Sequence, residues 1–315
     1  MISSLRLVRP VNLFIIAITM YGCRFFVLTI NGFQKIHDNS LAFFMLVLST
    51  VLIAAGGNII NDYFDIKADK INKPEKLIVG NLIQRRQAIL LHWIVNGFAL
   101  LIAIGLSIYL KSSSIILIHV ISINLLWFYS LYFKKKLFIG NFLIALLTGM
   151  IPILVIIYFE ALNNLDKPFS PFHEDTWSVY LNYNFIYLLS LMAFLQNLAR
   201  EILKDMEDIE GDKEIRATSI PMVFGIQRTK ILISGLLIFT PLLYFLFIID
   251  NQYSLYNLNF WTSIGWLIAS IIDLIGIVLL TFSNSIDLRK SHLLIKLSMV
   301  FGILTTYHVY LLSLI

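Results

Sequence analysis

Two short stretches carry residue types at a spacing from which chemistry can be built. The first, Asn58-Ile59-Ile60-Asn61-Asp62-Tyr63-Phe64-Asp65-Ile66-Lys67-Ala68-Asp69-Lys70, closes a long apolar segment. Placed on a helix, Asp62, Asp65 and Asp69 fall at i, i+3 and i+7 and share one face. The second, Lys204-Asp205-Met206-Glu207-Asp208-Ile209-Glu210-Gly211-Asp212-Lys213, repeats the D-x-x-D-x-x-x-D spacing. Each acid stands 143 positions after its counterpart (205 − 62, 208 − 65, 212 − 69), and Lys70/Lys213 and Arg85/Arg228 keep the same offset. Three like charges on one stripe repel, and near a helix C-terminus the dipole disfavours them further. A cation is needed to hold them together. Oxygen-only ligands beside an apolar wall suit Mg²⁺, which takes one or two carboxylates together with substrate phosphates. One acidic stripe is an ordinary solvated helix end. Two at a matched spacing, each closing an apolar segment, predict a paired metal site, because charges at a membrane edge are costly without a role.

The elements that must position these stripes are membrane helices. The chain has 315 residues, 58% hydrophobic and 14% charged, where a soluble domain carries about 25% charged residues. The reading is an all-α polytopic membrane protein, one domain over 1–315, with no separate soluble domain and no nucleic-acid partner. Apolar segments run over 11–30, 41–60, 87–110, 114–133, 138–159, 183–203, 229–249, 259–282 and 292–314, nine spans at about 20 residues each. Arg6 and Arg9 precede the first, which reads as a span rather than a cleaved signal. A single cysteine, Cys23, excludes an internal disulfide and a zinc cluster. The six histidines show no metal-ligand spacing and read as packing residues.

Of the 24 basic residues, all but Arg24, Lys35, Lys111 and Lys167 fall at the N-terminus or after spans 2, 4, 6 and 8. The positive-inside rule then places the N-terminus and both stripes on the cytoplasmic side of the plasma (inner) membrane, with the C-terminus outside. An offset of 143 residues crosses four spans, so the halves insert in the same sense. This parallel repeat, about an axis along the membrane normal, brings the stripes to face each other across a central cavity.

A cytoplasmic metal site at the mouth of an apolar cavity calls for a ligand with an anionic and a greasy end, and prenyl diphosphates have that form. Lys67, Lys70, Lys73, Lys76, Arg85 and Arg86 follow the first stripe, while Lys204, Lys213, Arg216 and Arg228 flank the second. The positive-inside rule alone accounts for any one of them. Lys73 stands out, in the proline-stiffened Asn72-Lys73-Pro74 directly after the first stripe. Among polar groups within spans, Asn96 and Asn124 read as helix–helix contacts. Asn58 and Asn61, on the stripe's own segment, read as metal or phosphate contacts. Arg200 and Lys204, at i and i+4 before Asp208, either bind phosphate or balance the stripe. Some of the 24 Phe, 14 Tyr and 5 Trp are expected to line a prenyl tunnel and stabilise an allylic cation.

Asn61-x-x-x-Asp65-x-x-x-Asp69, followed by Asn72-Lys73-Pro74, and Asp208-x-x-x-Asp212 in the second half resemble the UbiA superfamily of membrane prenyltransferases over essentially the whole chain. The resemblance implies nine spans around one cavity, two Mg²⁺ ions clamping a diphosphate, and a catalytic role for Asp65, Asp69, Asp208 and Asp212. It implies metal binding by Asn61, Asp65, Asp69, Asp208 and Asp212, with Asp62 and Asp205 as second choices. Arg9, Asn58, Lys73, Lys134, Arg200, Lys204 and Arg216 are the diphosphate-binding candidates. The family's Y-x-x-x-K is matched by Tyr132 and Lys136, whereas Tyr129 and Lys134 are one position too far apart, so either pair is open. The stretch Arg200–Asp212 looks most like the branch that makes archaeal-type ether lipids. The expected reaction is Mg²⁺-dependent transfer of a prenyl group, of geranylgeranyl type, from its diphosphate to a lipid-soluble or phosphorylated acceptor, with membrane lipid around it. An isoprenyl glycerol phosphate is favoured by the surplus of bases in Arg9, Arg85, Arg86, Lys134, Arg200 and Arg216. The alternatives are an aromatic acceptor of quinone biosynthesis, a cation or metal transporter with carboxylates at mid-membrane, and a membrane scaffold.

Overall fold

Nearly every described stretch is helical, as its composition requires, because backbone polar groups in lipid must be satisfied within the segment. The computed structural model describes residues 6–31, 38–72, 74–165, 183–250, 264–282 and 287–312. The helices are α1 (Pro10–Asn31), α2 (Ser40–Phe64), the short α3 (Ile66–Asn72), α4 (Arg85–Tyr109), α5 (Ser114–Leu131), α6 (Ile139–Leu162), α7 (Asn184–Glu207), the short α8 (Ile209–Glu214) and α9 (Ile220–Phe224), α10 (Ile226–Asp250), α11 (Ile264–Phe282) and α12 (Asp287–Leu312). Among the described residues, eight helices are long and apolar enough to cross a membrane: α1, α2, α4, α5, α6, α7, α10 and α11. The expected ninth, α12, is 26 residues long. It is not among those eight. The outer surface is greasy in the way lipid demands: Ile108 and Ile231 are 70% and 72% exposed.

The parallel repeat is visible in the helix ends. α2 ends at Phe64 and α7 at Glu207, α3 starts at Ile66 and α8 at Ile209, each pair separated by 143 positions (207 − 64, 209 − 66). α4 and α10 start at Arg85 and Ile226, within two residues of the same offset.

Close approach is arranged by small residues, as in other membrane bundles. Where α2 crosses α4, a Cβ on Gly56 would stand 2.6 Å from the Asn96 amide nitrogen, and the Gly56 carbonyl lies 2.9 Å from His92 Nδ1. In the second half a buried polar clamp ties four helices. Gln196 of α7 donates to Asp273 of α11 at 3.0 Å and to Ser298 of α12 at 2.8 Å, and Thr240 of α10 donates to Asp273 at 3.1 Å. A carboxylate in lipid is tolerated when it is met by such donors.

The two halves meet where α3 packs on α8. A Cβ on Gly211 would lie 2.3 Å from Asn72 Nδ2 and 2.8 Å from the Ala68 carbonyl oxygen, so only glycine fits. Gly211→Ala should therefore lower the thermal midpoint in detergent by an overpacking cost of about 1–3 kcal/mol. Gly105→Ala, whose Cβ meets nothing within 4 Å, should leave the midpoint unchanged or raise it. Equal behaviour of the two variants would contradict the α3–α8 contact.

Candidate active site

Both long helices that carry the acidic stripes stop at a carboxylate. Asp65 is the C-cap of α2, its N–H donating to the Asn61 carbonyl at 2.9 Å; Asp208 is the C-cap of α7, its N–H donating to the Lys204 carbonyl at 3.0 Å. A new short helix then begins on each side, and the amides of Asp69 and Asp212 reach back to the carbonyls of Asp65 and Asp208 at 2.9 and 3.0 Å. The stripes expected on one continuous helix are thus broken at their middle acid. The break falls where the helix dipole disfavours the charge.

Asn72, the last residue of α3, joins the two motifs. Its Nδ2 donates to the Asp208 carbonyl at 3.1 Å and its Oδ1 accepts from the Gly211 N–H at 2.8 Å. The first acid of each stripe turns to a different partner. Asp62 accepts from Arg9 at 2.6 Å, and Asp205 accepts from Asn141 at 2.9 Å. Asp65, only 5% exposed, is ion-paired with the Lys134 ammonium and accepts from Asn61 Nδ2 at 2.7 Å.

The last acid of each stripe carries a charge imbalance. Burial, then the Asp65 charge, hold the Asp69 carboxyl above its usual range. Burial, opposed by Lys134 and assisted by Asp208, pushes Asp212 up to about 6. Burial would lower Lys134, but Asp65 beside it prevails and keeps the ammonium charged well above the ordinary lysine range. Both raised carboxyls mark a place where added positive charge would be stabilising. Among the described residues no three acidic, histidine or cysteine side chains converge as a finished ligand set. The acids approach instead as two facing half-sites with Lys134 between their charges. The donors still fit a hard divalent cation. They are all oxygens, and the buried Oδ1 of Asn61 has no hydrogen-bond partner.

Above the half-sites lies a cavity of about 350 Å³. Its apolar wall includes Leu13, Ile16, Ile53, Leu126, Leu147 and Ile151, and its polar end gathers Arg9, Asn12, Asn58, Asn61, Tyr129, Arg200, Glu201, Lys204, His292 and Lys296. Lys204 acts electrostatically on Asp62, Asp69, Asp205 and Asp212. Arg200 is bound to Glu201 at 2.9 Å.

Of the expected diphosphate contacts, Arg9, Asn58, Arg200 and Lys204 line the cavity and Lys134 sits at the stripes. Asn58 spends its amide on the Val8 carbonyl at 2.9 Å. Arg216 is exposed with a positive φ of 56° and does not line the cavity. Lys73 lies outside the described residues. Of the two Tyr/Lys pairs, Tyr129 lines the cavity beside Lys134, whereas Tyr132 is 52% exposed with Lys136 lying 4.8 Å from its ring centroid. Asn72 entered the sequence reading only as part of Asn72-Lys73-Pro74, without a role of its own; Glu201, His292 and Lys296 were not picked out from sequence. A signal for the last two was present, since His292 and Lys296 stand one helical turn apart in an otherwise apolar segment.

The pattern of the UbiA prenyltransferase family matches residues 15–300. The chain belongs to that family. It is 34% identical over 200 residues to the digeranylgeranylglyceryl phosphate synthase of Methanosphaera stadtmanae, a match covering 62% of this chain and 64% of that relative, just under two thirds of its length. A solved structure bearing on digeranylgeranylglyceryl phosphate synthase in membranes is 26% identical, covers 96% of both chains and superposes with a TM-score of 0.63. A UbiA homolog from Archaeoglobus fulgidus, solved with GPP and Mg²⁺, shares the fold at a TM-score of 0.55 and 16% identity, covering 97% of this chain and 99% of that one.

Asn72→Ala removes the two hydrogen bonds that register one stripe against the other. It should cost about 1–3 kcal/mol of stability and weaken Mg²⁺ binding by about 10–100-fold. Calorimetric Mg²⁺ titration beside a melting curve checks both. Unchanged Mg²⁺ affinity would show that the half-sites do not depend on this bridge.

Proposed function

We propose that this chain transfers a prenyl group from its diphosphate to the free hydroxyl of an isoprenyl glycerol phosphate, on the cytoplasmic side of the membrane. The observation that carries the reading is the meeting of two matched carboxylate helix ends at the mouth of an apolar cavity. Membership of a prenyltransferase family supports it, and so do relatives named digeranylgeranylglyceryl phosphate synthase.

Asn61, Asp65, Asp69, Asp208 and Asp212 would hold Mg²⁺, two ions with the diphosphate, and so supply the charge neutralisation that a diphosphate leaving group requires. Lys134 and Lys204, placed to act on both stripes, bind the diphosphate oxygens and orient the C–O bond that breaks. Arg9 holds Asp62, and Asn141 holds Asp205, which keeps the ends of both stripes in register with the cavity. Leu13, Ile16, Ile53, Leu126, Leu147 and Ile151 line the wall that receives the prenyl chain and keeps water away from the developing allylic cation. Tyr129 presents its ring to the same space.

The transport alternative calls for paired carboxylates at mid-membrane. Here the motif acids stand at the ends of α2 and α7, which favours a substrate that approaches from the membrane edge.

Purified protein in detergent, given a labelled prenyl diphosphate with each acceptor class in turn, should form the ether product only with Mg²⁺. Asp65→Ala and Asp208→Ala should each lower kcat by about 10²–10³-fold. Mass analysis of the lipid identifies the product. Exclusive alkylation of an aromatic acid would replace the proposed acceptor, and full activity in both variants would remove the metal site from the reaction.

A further inference from the structure

The cations around the cavity divide into two groups. Lys134 and Lys204 act on the stripe acids, and Lys204 is also felt by His292 and Lys296. Arg200 and Lys296 are the charged members of a second set, and the His292 imidazole lies within the field of both. These three come from α7 and α12, and all three line the cavity. Their compensation is thin. Glu201 is the carboxylate among the lining residues, and it is shared by Arg200 at 2.9 Å and Lys204 at 3.9 Å. Among the described residues, Lys296 donates to the neutral Oδ1 of Asn12 at 3.5 Å. The buried Nε of Arg200 has no hydrogen-bond partner. His292 stands 4.0 Å from Glu207. Two cations and an imidazole gathered in an apolar bundle are costly unless an anion completes them.

We propose that Arg200, His292 and Lys296 form a second anion subsite that takes the phosphate monoester of the acceptor, apart from the diphosphate of the donor. The assignment rests on the acceptor class proposed above and names the residues that read it. A phosphate monoester carries about −1.5 to −2 charge and three acceptor oxygens. It matches a guanidinium, an ammonium and an imidazole, whereas a lone carboxylate is served by a single bidentate arginine. Because the donor is held by the stripes and the acceptor phosphate by α7 and α12, the acceptor hydroxyl is delivered into the cavity between them. The two anionic heads are kept apart by separate cation sets.

The test uses the full-length protein in detergent with Lys296→Gln, His292→Gln and the charge-conserving Lys296→Arg. The acceptor KM should rise at least about tenfold in Lys296→Gln and threefold in His292→Gln, with the donor KM unchanged within about twofold and Lys296→Arg close to wild type. A shift of the donor KM alone would assign these cations to the diphosphate and overturn the proposal, as would no shift in either. Binding of isoprenyl glycerol phosphate itself, measured by calorimetry without Mg²⁺ or donor, keeps the subsite separate from the reaction. Wild type should bind it, and Lys296→Gln should lose most of that affinity. Wild-type binding without alkylation would fail the proposed function and leave the subsite standing. No wild-type binding would overturn the subsite. Equal binding of the dephosphorylated isoprenyl glycerol would show that the chain alone is recognised, and would overturn it too. Tight competition by phosphatidic acid vesicles would assign the subsite to bulk lipid headgroups instead of the acceptor.

Discussion

Like charge brought to the mouth of an apolar bundle is the constraint on which the rest of this structure depends. Asp65 and Asp208 close α2 and α7, and Asp69 and Asp212 follow one turn later. Packed against each other without countercharge, these ends would repel. Lys134 answers part of that charge, and Asn72 locks the register between the halves. What is left over is a demand for positive charge on oxygen donors, which is what the proposed divalent-ion site would answer.

The bundle above turns this demand into a site of defined shape. Glycine at 56 lets α2 settle on α4, and glycine at 211 lets α3 settle on α8. The Asp273 clamp fixes α7 against α10, α11 and α12. With α7 and α12 held in this way, Arg200, His292 and Lys296 share one end of the cavity. The polar groups inside this membrane protein therefore serve two ends: some tie helices together, and others are gathered where an anionic head would sit.

The two-ended character of the cavity also bears on selectivity. Its apolar wall has no feature that distinguishes one isoprenoid from another beyond length and bulk. On the proposed reading, discrimination between acceptors rests on the polar end, since leaving a buried cation unpaired costs more than leaving a methylene unpacked.

Much was legible in the sequence, for a physical reason. Hydropathy reports spans because lipid forces every apolar segment into one secondary structure. The stripes were legible because the D-x-x-D-x-x-x-D spacing recurs at a fixed offset, so the repeat supplied its own internal control. What the sequence could not determine depends on which side chains from distant spans meet. Asp62 and Asp205 look equivalent to the other acids by spacing, yet each is tied to a residue from elsewhere in the chain, Arg9 and Asn141. Tyr129 and Lys134 miss the family's spacing by one. The helix ends between them, and a 3₁₀ turn over Phe133–Lys135 swings the lysine back to Asp65. His292 and Lys296 stand some eighty positions beyond the second stripe, and their one-turn spacing does not say which helix they will meet. Only packing α12 against α7 brings them to Arg200, because proximity between helices is set by tertiary contact and leaves no periodic trace in either segment.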